Sequence, residues 1–156
     1  MVKGALFVCL GNICRSPIAE AVFSHVLKEK GIDGQWQVDS AAIGPWHIGK
    51  RPDSRALKTL LNHNVPSSCR ARQIDEQDFH NFDYIFGMDN NNITNLKDMQ
   101  PKGSKANVLL LGDFDPEGDK IIRDPYYDSG SDGFEKCYQQ CVRSCNGFLD
   151  QLPKDN

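Results

Sequence analysis

A thiol and a guanidinium stand near the start of this chain with five residues between them, in the order Cys9, Leu10, Gly11, Asn12, Ile13, Cys14, Arg15, and then Ser16. The apolar run Leu6, Phe7, Val8 precedes them and Pro17 follows. This layout suits phosphate chemistry. A tight loop after a strand turns successive backbone N–H groups inward, and a helix start adds partial positive charge, so together they cradle an anion. Gly11 and Asn12 are the residue types that tolerate the positive φ such a loop needs. Arg15 supplies a planar fork matched to phosphate oxygens. Cysteines set in such fields lose the thiol proton readily, and a thiolate beneath a bound phosphate is a nucleophile aimed at phosphorus. Ser16 is an N-cap residue type, and Pro17 suits the first helical position. The Ser16 hydroxyl can also point at the Cys9 sulfur.

The bare spacing is not specific, because the chain repeats it at Cys137, Arg143 and Ser144. The second copy has no glycine in its loop and no preceding apolar strand. Phe134, Cys137, Tyr138, Cys141, Cys145, Phe148, Leu149 and Leu152 recur there at helical spacing. Mid-helix amides are bonded to the carbonyls four residues back and cannot face an anion. The second copy reads as a buried helix face lined with small thiols; the first, with strand, glycine, arginine and helix start together, reads as the site.

Cleaving a phosphate ester requires a proton for the leaving oxygen. Two Asp-Pro pairs compete as its source, Asp115-Pro116 and Asp124-Pro125. Proline restricts the residue before it, which helps aim a side chain. Tyr126 and Tyr127 can wall a cleft beside Asp124 and partly desolvate it. Asp115 lies among acidic neighbours with no such wall, so Asp124 is favoured, against an ordinary loop turn as the plain alternative for either.

Strands are expected over residues 4–9, 35–41, 82–88 and 106–111. Helices are expected over 17–30, 53–62, 89–98 and 132–152, the first stopping at Gly31. Gly112 to Asp119 reads as a surface loop. This alternation predicts an α/β fold, a doubly wound four-stranded parallel sheet with helices on both faces. Ligands in such sheets bind beyond the carboxyl ends of the strands, where Cys9 lies.

With 156 residues, one domain spanning 1–156 is expected. A net charge of −3 does not suggest a nucleic-acid binder. No apolar run approaches the roughly 20 residues of a membrane span. The run Gly4 to Leu10 is too short for a signal peptide and is interrupted by Gly11, Asn12 and Arg15. Six cysteines then argue for reduced thiols in the cytoplasm. Without a close Cys-x-x-Cys pair and matching histidines, neither a metal site nor a cofactor is expected.

Val8 through Pro17, with Asp124-Pro125-Tyr126-Tyr127, resembles the low-molecular-weight protein tyrosine phosphatase family. The resemblance extends over Val38 to Ala42, Phe82 to Ile85, Met88-Asp89 and Tyr138 to Arg143. It implies a flavodoxin-like three-layer sandwich and the hydrolysis of phosphotyrosine and other aryl phosphates through a cysteinyl-phosphate. It implies Cys9 as nucleophile, Arg15 as clamp, Asp124 as acid and then base, and the loop from Leu10 to Cys14 with Ser16 as the phosphate cradle. Asn12 and Ser40 match loop braces, Ser16 a hydroxyl that stabilises the thiolate, and Trp46 an aromatic wall beside Tyr126 and Tyr127. Cys14 matches a second cysteine that pairs with the nucleophile on oxidation. Substrates would be phosphotyrosine proteins or small aryl phosphates, acted on by a monomer or weak dimer. One departure is visible: Cys69 stands where many animal members carry a loop-supporting histidine.

Other chemistries stay open on the residues alone. Arsenate reduction would need the thiols of Cys137, Cys141 and Cys145. A phosphopeptide-binding module would need no turnover. A Cys–His hydrolase would need one of His25, His47, His63 or His80 beside Cys9.

Overall fold

The computed structural model describes residues 2–152. Four parallel strands form one sheet: β1 (Lys3–Cys9), β2 (Trp36–Ala42), β3 (Tyr84–Gly87) and β4 (Asn107–Leu110), in the order β2-β1-β3-β4. The helices are α1 (Arg15–Glu29), α2 (Ser54–Asn62), α3 (Asp78–Asn81), α4 (Asn90–Met99) and α5 (Asp132–Gln151). No helix of the described residues is long and apolar enough to cross a membrane.

Central strand β1 is buried from Gly4 onward, so both its faces carry core. Side chains alternate across a strand. Ala5, Phe7 and Cys9 therefore face one layer, with Phe23 of α1 and Cys141 and Phe148 of α5. Leu6 and Val8 face the other, with Phe79 of α3 and Leu96 of α4. Phe7 stacks on Phe86 of β3 with ring centroids 5.2 Å apart. The chain runs from β1 to β2 on one side and returns to β3 on the other. The carboxyl end of β1 is thus the switch point, and Cys9 is its last residue.

The expected elements are present, with shifted ends and one correction of substance. Helix α1 begins at Arg15, with Cys14 at the cap position, so Ser16 is not the N-cap. The acceptor that a capping oxygen would supply is instead the Cys9 sulfur, 3.5 Å from the Ser16 N–H. The helix stops as expected. Gly31 takes φ +71, and the N–H groups of Gly31 and Ile32 return to the carbonyls of Lys28 and Leu27. Helix α3 carries too short a pattern to be read from sequence.

The stretch Gly112 to Asp119 is less superficial than expected. Leu111–Phe114 forms a 3-10 turn, and the Asp115 side chain is fully buried. Its carboxylate receives the Arg143 fork, Nε at 3.0 Å and Nη2 at 3.0 Å. The two misleading motifs of the sequence, Asp115-Pro116 and the Cys137–Arg143 spacing, therefore bind each other. Burial pushes the Asp115 carboxyl up, but Arg143 and backbone N–H groups outweigh it and hold the pKa below the usual range. A depressed carboxyl stabilises the fold above its unfolded pKa of about 3.9 and loses that contribution as pH falls through the folded value. Asp115→Ala is expected to cost about 2–3 kcal/mol at pH 7, the low side for a buried pair because Arg143 keeps some solvent. In urea unfolding the gap to wild type should close as pH falls below about 4. A gap absent at pH 7, or constant into acid, would contradict this role.

Candidate active site

The loop between β1 and α1 is held by its carbonyls. Those of Cys9, Leu10 and Ile13 accept from the backbone N–H groups of Ile43, Gly44 and Asp53 at 3.0, 3.2 and 2.8 Å. Among the described residues, the N–H groups of Gly11 through Cys14 meet no protein acceptor. A loop fastened through its acceptors keeps its donors for an anion. The left-handed residue is Asn12, at φ 58; Gly11 does not take positive φ. A Cβ at Gly11 would lie 2.9 Å from the His47 ring, so a larger residue there displaces that ring.

Asn12 is fully buried and fully used. Its Nδ2 donates to Ser16 Oγ at 2.8 Å and Ser40 Oγ at 3.0 Å, and its Oδ1 accepts from the Arg72 N–H at 3.1 Å. Ser16 Oγ in turn lies 3.1 Å from Cys9 Sγ. Hydroxyl and helix amide of one residue thus meet the sulfur together.

Ser40 carries the network outward. Its Oγ donates to Glu20 Oε1 at 2.5 Å and lies 3.4 Å from Cys69 Sγ. Cys69 is thus joined to the loop network through Ser40. Burial lifts the Glu20 carboxyl above its ordinary range, against the pull of the Ser40 and Cys69 bonds. Burial and the Glu20 charge push the Cys69 thiol up to about 12. Sequence reasoning missed Glu20, which looks like any helix-surface acid.

Arg15 lies beneath the loop with its side chain 2% exposed. Nη1 donates to Asp89 Oδ2 at 2.6 Å and to the Ile122 carbonyl at 3.0 Å, and Nη2 stands 3.7 Å from Asp124 Oδ2. Its Nε is buried without a partner. Burial works against the guanidinium charge, but Cys9, Asp89 and Asp124 more than offset it and raise its pKa. Asp89 was legible only as a helix cap. It does cap α4, accepting from the Asn92 N–H at 2.8 Å, with the oxygen that Arg15 leaves free.

Above these buried groups opens a cleft of about 360 Å3, lined by Cys9, Leu10, Gly11, Ile13, Cys14, Trp46, His47, Asp124, Tyr126 and Tyr127. The sequence-derived residues therefore converge: loop at the floor, Asp124 at the side, aromatics at the rim. Trp46 and Tyr127 are 61% and 88% exposed, so the rim stands free for a flat ligand. Asp124 Oδ1 accepts from the Tyr126 N–H at 3.0 Å. Burial, then the charges of Cys9, Asp53 and Asp124, push the Cys14 thiol well up. Of the four histidines, His47 alone lines this cleft; the side-chain partner of Cys9 is Ser16. The second spacing copy lies within α5, with Cys137, Cys141 and Cys145 buried.

Comparison with known proteins bears on this geometry. Residues 5–156 match the family profile described as Low molecular weight phosphotyrosine protein phosphatase. Low molecular weight phosphotyrosine protein phosphatase 1 of Drosophila melanogaster is 52% identical over 97% of both chains. Among solved structures, Primo-1 superposes with a TM-score of 0.93 at 51% identity, covering 96% of this chain and 98% of its own. A structure named DARP, drosophila arginine phosphatase, gives 0.91 at 38% identity, over 97% and 99%. A profile that takes in the phosphate loop, the Asp124 segment and the sheet between them places the chain in the low molecular weight phosphotyrosine protein phosphatase family.

Proposed function

We propose that this chain hydrolyses phosphotyrosine and other aryl phosphate monoesters through a cysteinyl-phosphate intermediate. The observation that carries the reading is the Cys9 sulfur, met by the Ser16 hydroxyl at 3.1 Å and the Ser16 N–H at 3.5 Å at the floor of the cleft. In the first step the Cys9 thiolate attacks phosphorus and the P–O bond to the phenol breaks. Asp124 gives its proton to the departing oxygen. The N–H groups of Gly11 to Cys14 and the Arg15 fork hold the equatorial oxygens as charge shifts onto them. The unpartnered Arg15 Nε supports this role, since a buried donor is costly until an acceptor arrives. In the second step water attacks phosphorus, Asp124 takes its proton, and the S–P bond breaks to release phosphate.

The alternatives are less well supported. Arsenate reduction would draw on thiols of α5, but Cys137 and Cys145 are buried and their pKa values are pushed up, Cys137 first by its bond to Cys141 and Cys145 by burial. Two core clusters on one sheet support a single phosphatase domain over 1–156. A cleft completed within one chain supports a monomer as the working unit. Six free cysteines support a reducing, cytoplasmic setting.

Cys9→Ser is expected to abolish turnover while retaining ester binding, and Cys137→Ser to leave turnover largely intact. Asp124→Asn should lower kcat/KM on esters with poor leaving groups by about 100-fold or more, with a smaller penalty for good leaving groups. Asp115→Asn should show no such dependence. Equal losses in Cys9→Ser and Cys137→Ser, or the reverse ranking of the aspartates, would overturn the assignments.

Substrate class is tested with phosphotyrosine, phosphoserine and phosphoarginine peptides. Phosphotyrosine should be preferred, because its ring reaches from the floor to Trp46, Tyr126 and Tyr127 and can stack there. Comparable rates on phosphoserine would contradict the walled cleft, and faster phosphoarginine turnover would reassign the substrate.

Oxidation should inactivate reversibly through a Cys9–Cys14 disulfide, both residues lining one cleft. After peroxide and then thiol, wild type should recover more activity than Cys14→Ser. Equal recovery, or no such linkage by peptide mapping, would remove the protective role of Cys14.

A further inference from the structure

Asp124 lies in a stretch without regular secondary structure, between the 3-10 turn and α5. The N-terminal side of this stretch is anchored by Ile122, which is buried in the core, but beyond Pro125 the loop is open to solvent, with Tyr126 37% exposed and Tyr127 88%. A proton donor must nonetheless be held to within fractions of an ångström of its target. Met88 and Arg15 bond the backbone at Ile122, and Arg123 pairs with Asp128, while the carbonyls beyond Pro125 are gathered from α2. Arg55 Nη1 donates to the Asp128 carbonyl at 2.6 Å and reaches the Gly130 carbonyl at 3.4 Å. Its Nη2 donates to the Tyr126 carbonyl at 2.8 Å. One guanidinium thus gathers three carbonyls of the acid loop, which only a rigid fork with several donors can do.

The fork is itself fixed. Asp53 takes it side-on, with Nε to Oδ1 at 3.0 Å and Nη2 to Oδ2 at 3.1 Å. The Phe134 ring lies against it, 4.6 Å from Cζ to centroid. Asp53 also caps α2, and its N–H donates to the Ile13 carbonyl of the phosphate loop at 2.8 Å. A continuous hydrogen-bonded path therefore runs from the phosphate loop, through Asp53 and Arg55, to the carbonyl of Tyr126. The Tyr126 N–H then fixes Asp124 Oδ1 at 3.0 Å. Its other oxygen, Oδ2, is the one near Arg15.

We propose that Asp53 and Arg55 form a clamp that sets the acid loop against the phosphate loop, making Arg55 a positioning residue for Asp124. The proposal rests on Asp124 being the general acid. Arg55 is partly exposed, so its contribution is geometric and does not depend on a strong buried charge pair. A staple that merely stabilised the fold would lower every rate alike. A clamp that aims the acid penalises the substrates that need the acid.

The test measures kcat/KM over aryl phosphates of graded leaving-group pKa, for wild type, Asp124→Asn, Arg55→Met and the double variant, each checked for folding by circular dichroism. Arg55→Met should lose about tenfold with the poorest leaving group and less than about threefold with the best, as a displaced acid would. On the Asp124→Asn background it should cost less than about twofold, since an absent acid cannot be misplaced. Arg55→Lys should not restore the rate, because an ammonium lacks the fork. If Arg55→Met does not fold, Asp53→Asn serves instead: its remaining oxygen keeps the cap, its amide nitrogen replaces the acceptor of Nη2 by a donor, and the loosened fork should show a graded loss of the same direction. Losses equal across leaving groups, effects that multiply in the double variant, or rescue by lysine would overturn the clamp. If Asp124→Asn itself shows no leaving-group dependence, the acid assignment fails, and that result is distinct from failure of the clamp.

Discussion

A single buried amide shapes the phosphate loop. Asn12 sits at φ 58, a conformation a non-glycine residue holds only when its surroundings enforce it. Three bonds enforce it, to Ser16, Ser40 and the Arg72 backbone. Each ties the loop to a different element: the start of α1, strand β2, and the segment that runs beside β2 through the Ala42–Gln73 bridge. The hydroxyl that meets Cys9 is also the one that Asn12 bonds. Loop conformation and the surroundings of the Cys9 sulfur are therefore not separable. A donor lost at Asn12 would leave buried hydroxyls short of partners and free the backbone from its turn.

Arg15 imposes a second constraint. A guanidinium buried this deeply needs anionic partners, and Asp89 and Asp124 supply them from the ends of two other connections. The switch point makes this possible. Connections after β1, β3 and β4 all emerge at the carboxyl end of the sheet, so residues far apart in sequence converge there. Asp89 serves two masters with its two oxygens, one on Arg15 and one on the N-terminus of α4.

Much of this was legible in the sequence because it is local. Strand, loop, arginine and helix start are consecutive, and the alternation of elements shows through their hydrophobic periods. The second Cys-to-Arg spacing does lie in a helix with buried thiols, as its helical pattern predicts, and Asp115 is paired with Arg143. That these two hold each other could not be read, since 28 positions separate Arg143 from Asp115. Ser16 was misread as a cap because its residue type is ideal for one; no sequence rule anticipates a sulfur in place of the capping oxygen. Glu20 and Arg55 carry no local signal for the site, and Asp89 shows locally only as the acidic start of a helix. Each is a charged residue on an ordinary helix or at its start, and its partner lies 20 to 75 positions away.

Among the described residues, the loop carbonyls of Cys9, Leu10 and Ile13 are engaged, and the N–H groups of Gly11 through Cys14 meet no protein acceptor. On the proposed chemistry, the ester, the trigonal transition state and inorganic phosphate all present oxygens to these same N–H groups. A preformed cradle spares the ligand the cost of ordering the loop. It also cannot tell product from substrate by those contacts alone. Strengthening the cradle would tighten ester and inorganic phosphate together, and lower the barrier only by what the transition state gains as charge shifts onto its equatorial oxygens. Discrimination must then come from groups that meet only the leaving oxygen or only the ring, which places the pace of product departure in the floor of the cleft and the choice of substrate at its rim.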